Sequence, residues 1–202
     1  RAKGIATILD RLDIENSGDI PNSLKPKEAN FVAILPVLGD CRVIEGVDFM
    51  QRSLDYLKKT NYIDSIYVLT DNINVSNLAI KNNVKVIPRP NAIGNPNLPL
   101  EKVLQYALEC IEAKNDFPEA LVYINYLYPF RPAGLIDELI SELQYGGFDS
   151  VFSSYIDYGN YWKENENGNY SQTGDSLMPR TKKHALHRAL YGVGCVTLTS
   201  IL

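Results

Sequence analysis

The chain has 202 residues, 45% of them hydrophobic and 22% charged, a balance that excludes a disordered polymer and suits one full core with at most a small appendage. Its formal net charge of −4 excludes the basic field that duplex nucleic acid demands, so no nucleic-acid partner is expected. Cys41, Cys110 and Cys195 stand far apart without a C-x-x-C pair, which fits neither a disulfide framework nor a zinc site.

No apolar run approaches the ~20 residues of a membrane span and no leader-like apolar segment precedes the first strand, so we expect a cytoplasmic protein in a reducing compartment, with no membrane partner. Arg1 in place of an initiating Met, and a strand-like run ending at Leu202, lead us to expect a piece of a longer chain.

Residues 1–30 divide into a short amphipathic piece, Ile5 to Ile14, and a polar stretch, Glu15 to Asn30, with Gly18, Pro21 and Pro26. We expect a tail or linker there. From Phe31 onward short apolar runs alternate with helical patterns. Strands are predicted at Phe31–Pro36, Ser65–Thr70, Val84–Pro88, Ala120–Asn125, Ser150–Ser154 and Gly194–Ser200.

Helices are predicted at Phe49–Lys59, at Leu100–Ile111 and at Gly134–Leu143, the last stopped by Gly146-Gly147. Little alternation within the strands means burial on both faces. The expected fold over residues 31–202 is therefore α/β, a Rossmann-like three-layer sandwich with a mostly parallel sheet, in which the first, second and fourth strands are neighbours. An insertion at 155–190 breaks the rhythm. It is rich in Tyr, Asn and Gly, and carries Trp162 and the basic residues Arg180, Lys182, Lys183 and Arg188. Its Tyr-rich run Tyr155–Tyr170 suits a contact with a second copy, since aromatic residues are enriched in interface cores.

The first strand runs into Leu35-Pro36-Val37-Leu38-Gly39-Asp40-Cys41-Arg42-Val43-Ile44-Glu45-Gly46. A strand opening into a Gly-containing turn with one basic residue presents N–H groups and charge to a phosphate, but it is also the composition of an ordinary βα turn. The spacing is neither a Walker A loop nor G-x-G-x-x-G. Thr70-Asp71 after the second strand reads alone as a helix N-cap. Arg89 alone reads as a surface arginine, and His184 and His187 as solvated loop residues.

Together these stretches resemble the cytidylyltransferases that make CMP-sialic acid and related sugars. Their opening motif is approximately I-I-P-A-R-G-G-S-K-G-I-P-G-K-N; Ile34, Pro36, Gly39, Ile44 and Gly46 match it, and Arg42 stands at the first lysine. Leu38 replaces the family arginine, Asp40 a glycine, Cys41 the serine, and Val47-Asp48 the later Lys-Asn. Ile66–Asn72 and Val84–Pro90 are similar to V-V-V-S-T-D-D and V-x-x-x-R-P. Val122–Arg131, with Ala133 and Ile136-Asp137, resembles V-L-L-Q-P-T-S-P-L-R-x-A-x-x-I-D, with Asn125 for the glutamine. The resemblance covers residues 31–155, and Arg180–Thr197 is similar to the basic stretch before N-G-A-I-Y, with His184 near a family glutamine.

The resemblance implies transfer of CMP from CTP to an acidic, sialic acid-like sugar by a homodimer, with Mg²⁺ whose ligands are not found among these residues. It implies a nucleotide site at Leu35, Pro36, Gly39, Arg42, Asp71 and Arg89, with Arg42 as the catalytic cation, and a substrate site at Asn125 and Arg131. The alternative is a degenerate, non-catalytic homologue acting as a binding or oligomerisation module, because two phosphate-facing cations are replaced. Catalysis would then call for substitute charges from Arg180, Lys182, Lys183 or Arg188. A glycosyltransferase of related fold would need a D-x-D after a strand; neither Asp149 nor Asp157 has that context.

Overall fold

The computed structural model describes residues 29–90, 93–95, 97–173 and 178–202. The tail or linker expected at 1–30 falls almost wholly on residues 1–28, which lie outside the described residues. The rest forms two units, one made of the residues up to Phe152 together with Tyr191–Leu202, the other of Ser153–Leu190.

In the first unit the elements follow as β1 (Phe31–Val37), β2 (Val43–Ile44), β3 (Val47–Asp48), α1 (Phe49–Leu57), β4 (Ile63–Thr70), α2 (Ile73–Lys81) and β5 (Lys85–Pro88). Then come α3 (Leu100–Glu112), β6 (Ala120–Tyr123), α4 (Leu135–Gly146), β7 (Ser150–Phe152) and, after the second unit, β12 (Cys195–Leu198). Six strands make one sheet in the order β5-β4-β1-β6-β12-β7. β1 pairs in parallel with β4 on one side and β6 on the other, as expected, and only β12 runs against its neighbours.

Alternation along the central strand builds the layers. Phe31, Ala33, Leu35 and Val37 face one way, onto Met50, Leu54 and Leu57 of α1, Val75 and Ala79 of α2, and Ile136, Leu139, Ile140 and Leu143 of α4. Val32 and Ile34 face the other way, onto Val103, Leu104, Ala107, Leu108 and Ile111 of α3. A fully buried leucine such as Leu54 contributes about 2 kcal/mol by its removal from water. These two half-cores hold the sheet rigid from both faces and leave function to its loops.

Four local features differ from the sequence expectation. Helix α2 was not expected: its run Ile-Asn-Val-Ser-Asn-Leu-Ala-Ile-Lys is poor in strong helix formers and buries only Val75 and Ala79. Its N-cap is Asn72, whose Oδ1 accepts from the N–H groups of Asn74 and Val75, rather than Thr70 or Asp71. Helix α4 continues through Gly146 and stops at Gly147, which takes the left-handed conformation that glycine tolerates. The strand expected at Ser150–Ser154 ends at Phe152, where the chain passes into the second unit.

The amino ends of the strands are closed by polar contacts. Phe31 N–H donates to Asp64 (2.8 Å), Asn30 donates to Asp116 (2.9 Å), and the Tyr67 hydroxyl lies between Asp116 and Lys85. No helix among the described residues is long and apolar enough to cross a membrane.

The second unit consists of short antiparallel ladders. β8 (Ser154–Asp157) pairs with β11 (Leu186–Ala189), and β9 (Tyr161–Glu164) with β10 (Tyr170–Thr173). Trp162 and Tyr170 are exposed on it. The Tyr161 hydroxyl donates to the Asp157 carboxylate, and together with the Gly159 N–H it holds that carboxyl below its usual range.

Candidate functional site

The connection through α1 carries the chain from β1 to β4, whereas the one through α3 carries it from β5 across to β6 on the opposite face. The direction of winding therefore reverses between β1 and β6. In open α/β sheets a crevice forms at the carboxyl ends of the strands at that point. The loop after β1 and the loop after β6 flank it.

The β1 loop is shaped by glycine. Gly39 has φ +68°, a left-handed conformation, and no atom lies within 4 Å of the point where a Cβ would stand, so the space above its backbone is open. Its N–H donates to Oδ1 of Asp71 (3.2 Å), beyond β4, and Asn72 Nδ2 donates to Oδ1 of Asp40 (2.7 Å). Leu38 is partly exposed. The Arg42 side chain is exposed, while its carbonyl accepts from the Phe49 N–H at 3.1 Å and so joins the loop to α1. Between them β2 and β3 make a hairpin whose two-residue turn, Glu45-Gly46, has φ of +50° and +79° at its two positions. Cys41 donates to the Met50 sulfur (3.3 Å); burial first, then the Asp48 and Asp40 carboxylates, push its thiol up to about 11.

Leu35 and Pro36 lie in the last three residues of β1, just before this loop. Leu35 points its side chain into the core, so only its backbone is available to a ligand. Arg89 leaves β5 with its N–H on the Thr70 carbonyl (2.9 Å) and its Nε on the Ile93 carbonyl (2.8 Å). Burial draws its guanidinium down and the Asp71 carboxylate counters this, so the two charges sense one another. Gly39, Asp40, Asp71 and Asn72 thus form one connected group at the carboxyl ends of β1 and β4, within electrostatic reach of Arg89.

Asn125 and Arg131 form a second group. Asn125 Oδ1 accepts from Leu127 N–H (2.9 Å) and starts the turn, while its own N–H donates to the Gly192 carbonyl (2.9 Å). Arg131 is largely buried and gives Nε and Nη2 to backbone, Nε to Val193 O (2.8 Å) and Nη2 to Asn125 O (2.5 Å) and Gly192 O (3.0 Å), while Nη1 reaches the Ser53 hydroxyl (3.5 Å). Burial draws it down to about 10, still charged at neutral pH. It binds the β6 loop to the segment leading into β12. Arg52, not singled out from sequence, secures the same loop from α1, with Nε on Pro129 O (3.0 Å) and its guanidinium over the Phe130 ring at 4.7 Å. Asp40 and Asn72 were also missed as contacts. The residue after an Asp at a strand end, together with an Asn three before the first buried helix position, was the available signal.

Among the described residues no three His, Cys, Asp or Glu side chains come together to hold a metal ion. In the second unit Arg180 lies over the Tyr158 ring (4.9 Å), Lys183 donates to the Tyr158 carbonyl (3.3 Å) and Arg188 to the Tyr155 hydroxyl (3.1 Å).

The fold is that of the nucleotide-diphospho-sugar transferases, with a mostly parallel sheet between helical layers. It is similar to 4-diphosphocytidyl-2C-methyl-D-erythritol synthase from Anaerococcus prevotii, at 12% identity and a TM-score of 0.63 over 86% of this chain and 72% of that one. It is similar also to CMP:2-keto-3-deoxy-manno-octonic acid synthetase, solved with CTP, at 12% identity and a TM-score of 0.61 over 86% of this chain and 76% of that one. A further 4-diphosphocytidyl-2C-methyl-D-erythritol synthase matches at 12% identity and 0.62 over 88% and 78%. At these identities the likeness is one of fold. No family model matches the sequence, and neither does any curated protein.

Proposed function

We propose that the crevice between the β1 and β6 loops takes CTP and that the chain transfers CMP to a hydroxyl of an acidic, sialic acid-like sugar. The observation that carries this reading is the left-handed Gly39 turn at the winding reversal, open above its backbone and followed by the exposed Arg42. Similarity of fold to synthetases that act on cytidine nucleotides, one of them solved with CTP, supports the choice of base.

In the reaction the sugar oxygen bonds to the α-phosphorus, the bond from that phosphorus to the β-phosphate bridging oxygen breaks, and pyrophosphate leaves while the hydroxyl proton passes to solvent. Arg42 holds the phosphates with a guanidinium fork and offsets the charge that builds on them. Arg89 adds charge at the rim, and the backbone at Leu35, Pro36 and Gly39 lies along the nucleotide. Asn125 and Arg131 act by fixing the β6 loop that the sugar meets. The exposed Trp162 and Tyr170 favour pairing of two copies.

A second reading, a nucleotide-binding module without transfer, is favoured by two observations: Leu38 stands where the related motif has an arginine, and Nε and Nη2 of Arg131 are taken by backbone carbonyls. Titration calorimetry with CTP, followed by pyrophosphate release on adding sialic acid, separates the two. Binding with release supports the transferase, binding without release the module, and no binding at millimolar CTP refutes both.

A further inference from the structure

The contact between Gly39 and Asp71 lies at the proposed phosphate site. The Gly39 N–H, the donor that a phosphate would use on the reading above, is already held by a carboxylate at 3.2 Å. A second contact crosses it, from Asn72 to Asp40 at 2.7 Å, so residues 39–40 and 71–72 are joined twice. The same Asp71 charge faces Arg89, the neighbouring cation. One internal anion therefore occupies a backbone donor and offsets a guanidinium, in a loop where Leu38, Asp40 and Arg42 are exposed.

We infer that Asp71 is an internal substitute for phosphate, a latch that holds the β1 loop against the β4 end and lowers the affinity of the crevice for polyanions. An incoming phosphate has to displace the Asp71 carboxylate from Gly39 and then sits beside it. Like charges at such range oppose one another, and the opposition is reduced but not abolished by salt. The chemical class affected is any nucleoside triphosphate or inorganic polyphosphate. Asp40 belongs to the latch through Asn72 and adds a second negative charge at the same turn.

The inference rests on the phosphate-site reading, and its test uses two probes so that the two claims fail separately. Asp71→Asn keeps an oxygen for the Gly39 N–H and removes the charge; titration calorimetry of wild type and variant is run with CTP and with inorganic tripolyphosphate. We expect about tenfold tighter binding of both probes by the variant, which is ~1.4 kcal/mol. Tighter tripolyphosphate with no CTP binding supports the latch and refutes the cytidine reading. Unchanged or weaker binding of both probes overturns the latch, whether or not CTP binds. Amide exchange at Gly39 gives the second readout: Asp71→Ala speeds it at least tenfold if the latch exists, and an unchanged rate in a folded variant overturns the inference.

Discussion

Truncating Arg131 to Ala removes the clamp between the β6 loop and the strap at residues 192–193. Three hydrogen bonds to carbonyls are lost, from Nε to Val193 and from Nη2 to Asn125 and Gly192. A charge-assisted hydrogen bond contributes ~1.5–3 kcal/mol, so simple addition would give ~4.5–9 kcal/mol. Water entering the gap re-solvates part of those carbonyls, and we expect a loss of ~3 kcal/mol. For a chain of this size that lowers Tm by roughly 6–12 °C. Urea unfolding followed by circular dichroism measures it. Arg131→Lys should recover less than half, because an ammonium cannot reproduce a planar fork that spans separate carbonyls. The reasoning is refuted if Arg131→Ala costs less than about 1 kcal/mol while CTP binding disappears, for then the side chain is a ligand contact and not a clamp.

Cys41 should alkylate slowly at neutral pH. Its raised value favours the neutral thiol, so the thiolate is on the order of 0.1% at pH 8, and the rate with iodoacetamide should climb through pH 9 to 10 without levelling; a plateau by about pH 8.5 would contradict this. Gly46→Ala should cost ~1 kcal/mol in urea unfolding, because φ is +79° and no neighbouring atom meets the added methyl, leaving backbone conformation as the only penalty. An unchanged midpoint would show that the hairpin rearranges freely.

The layered fold could be read from sequence because its strands are short apolar runs buried on both faces, and because α1, α3 and α4 repeat their apolar residues at helical spacing. Helix α2 escaped for a physical reason. It is β-branched and Asn-rich, exposes Ile73 and Ile80, and owes its existence to the Asn72 cap and to packing on β4 and β5. The site was readable only as a set of loops. Sequence places Arg131 two residues after a proline turn but says nothing of acceptors at 192 and 193, about sixty positions on, so a clamp and a ligand arginine look alike. The same holds for Asp71: a carboxylate after a strand reads as a cap or a ligand contact, whereas it reaches across to Gly39, 32 positions earlier.

The most direct test of the central claim is a calorimetric titration with CTP of wild type and of Arg42→Ala. A triphosphate carries about four negative charges at neutral pH, and two cations of the related motif are replaced by Leu38 and Val47. At ~1.5–3 kcal/mol each, their loss weakens binding by roughly 10² to 10⁴. Wild type should bind with a Kd in the high-micromolar to millimolar range, and Arg42→Ala should give no measurable heat. Low-micromolar binding that survives Arg42→Ala would put the phosphate site in another loop and contradict the account.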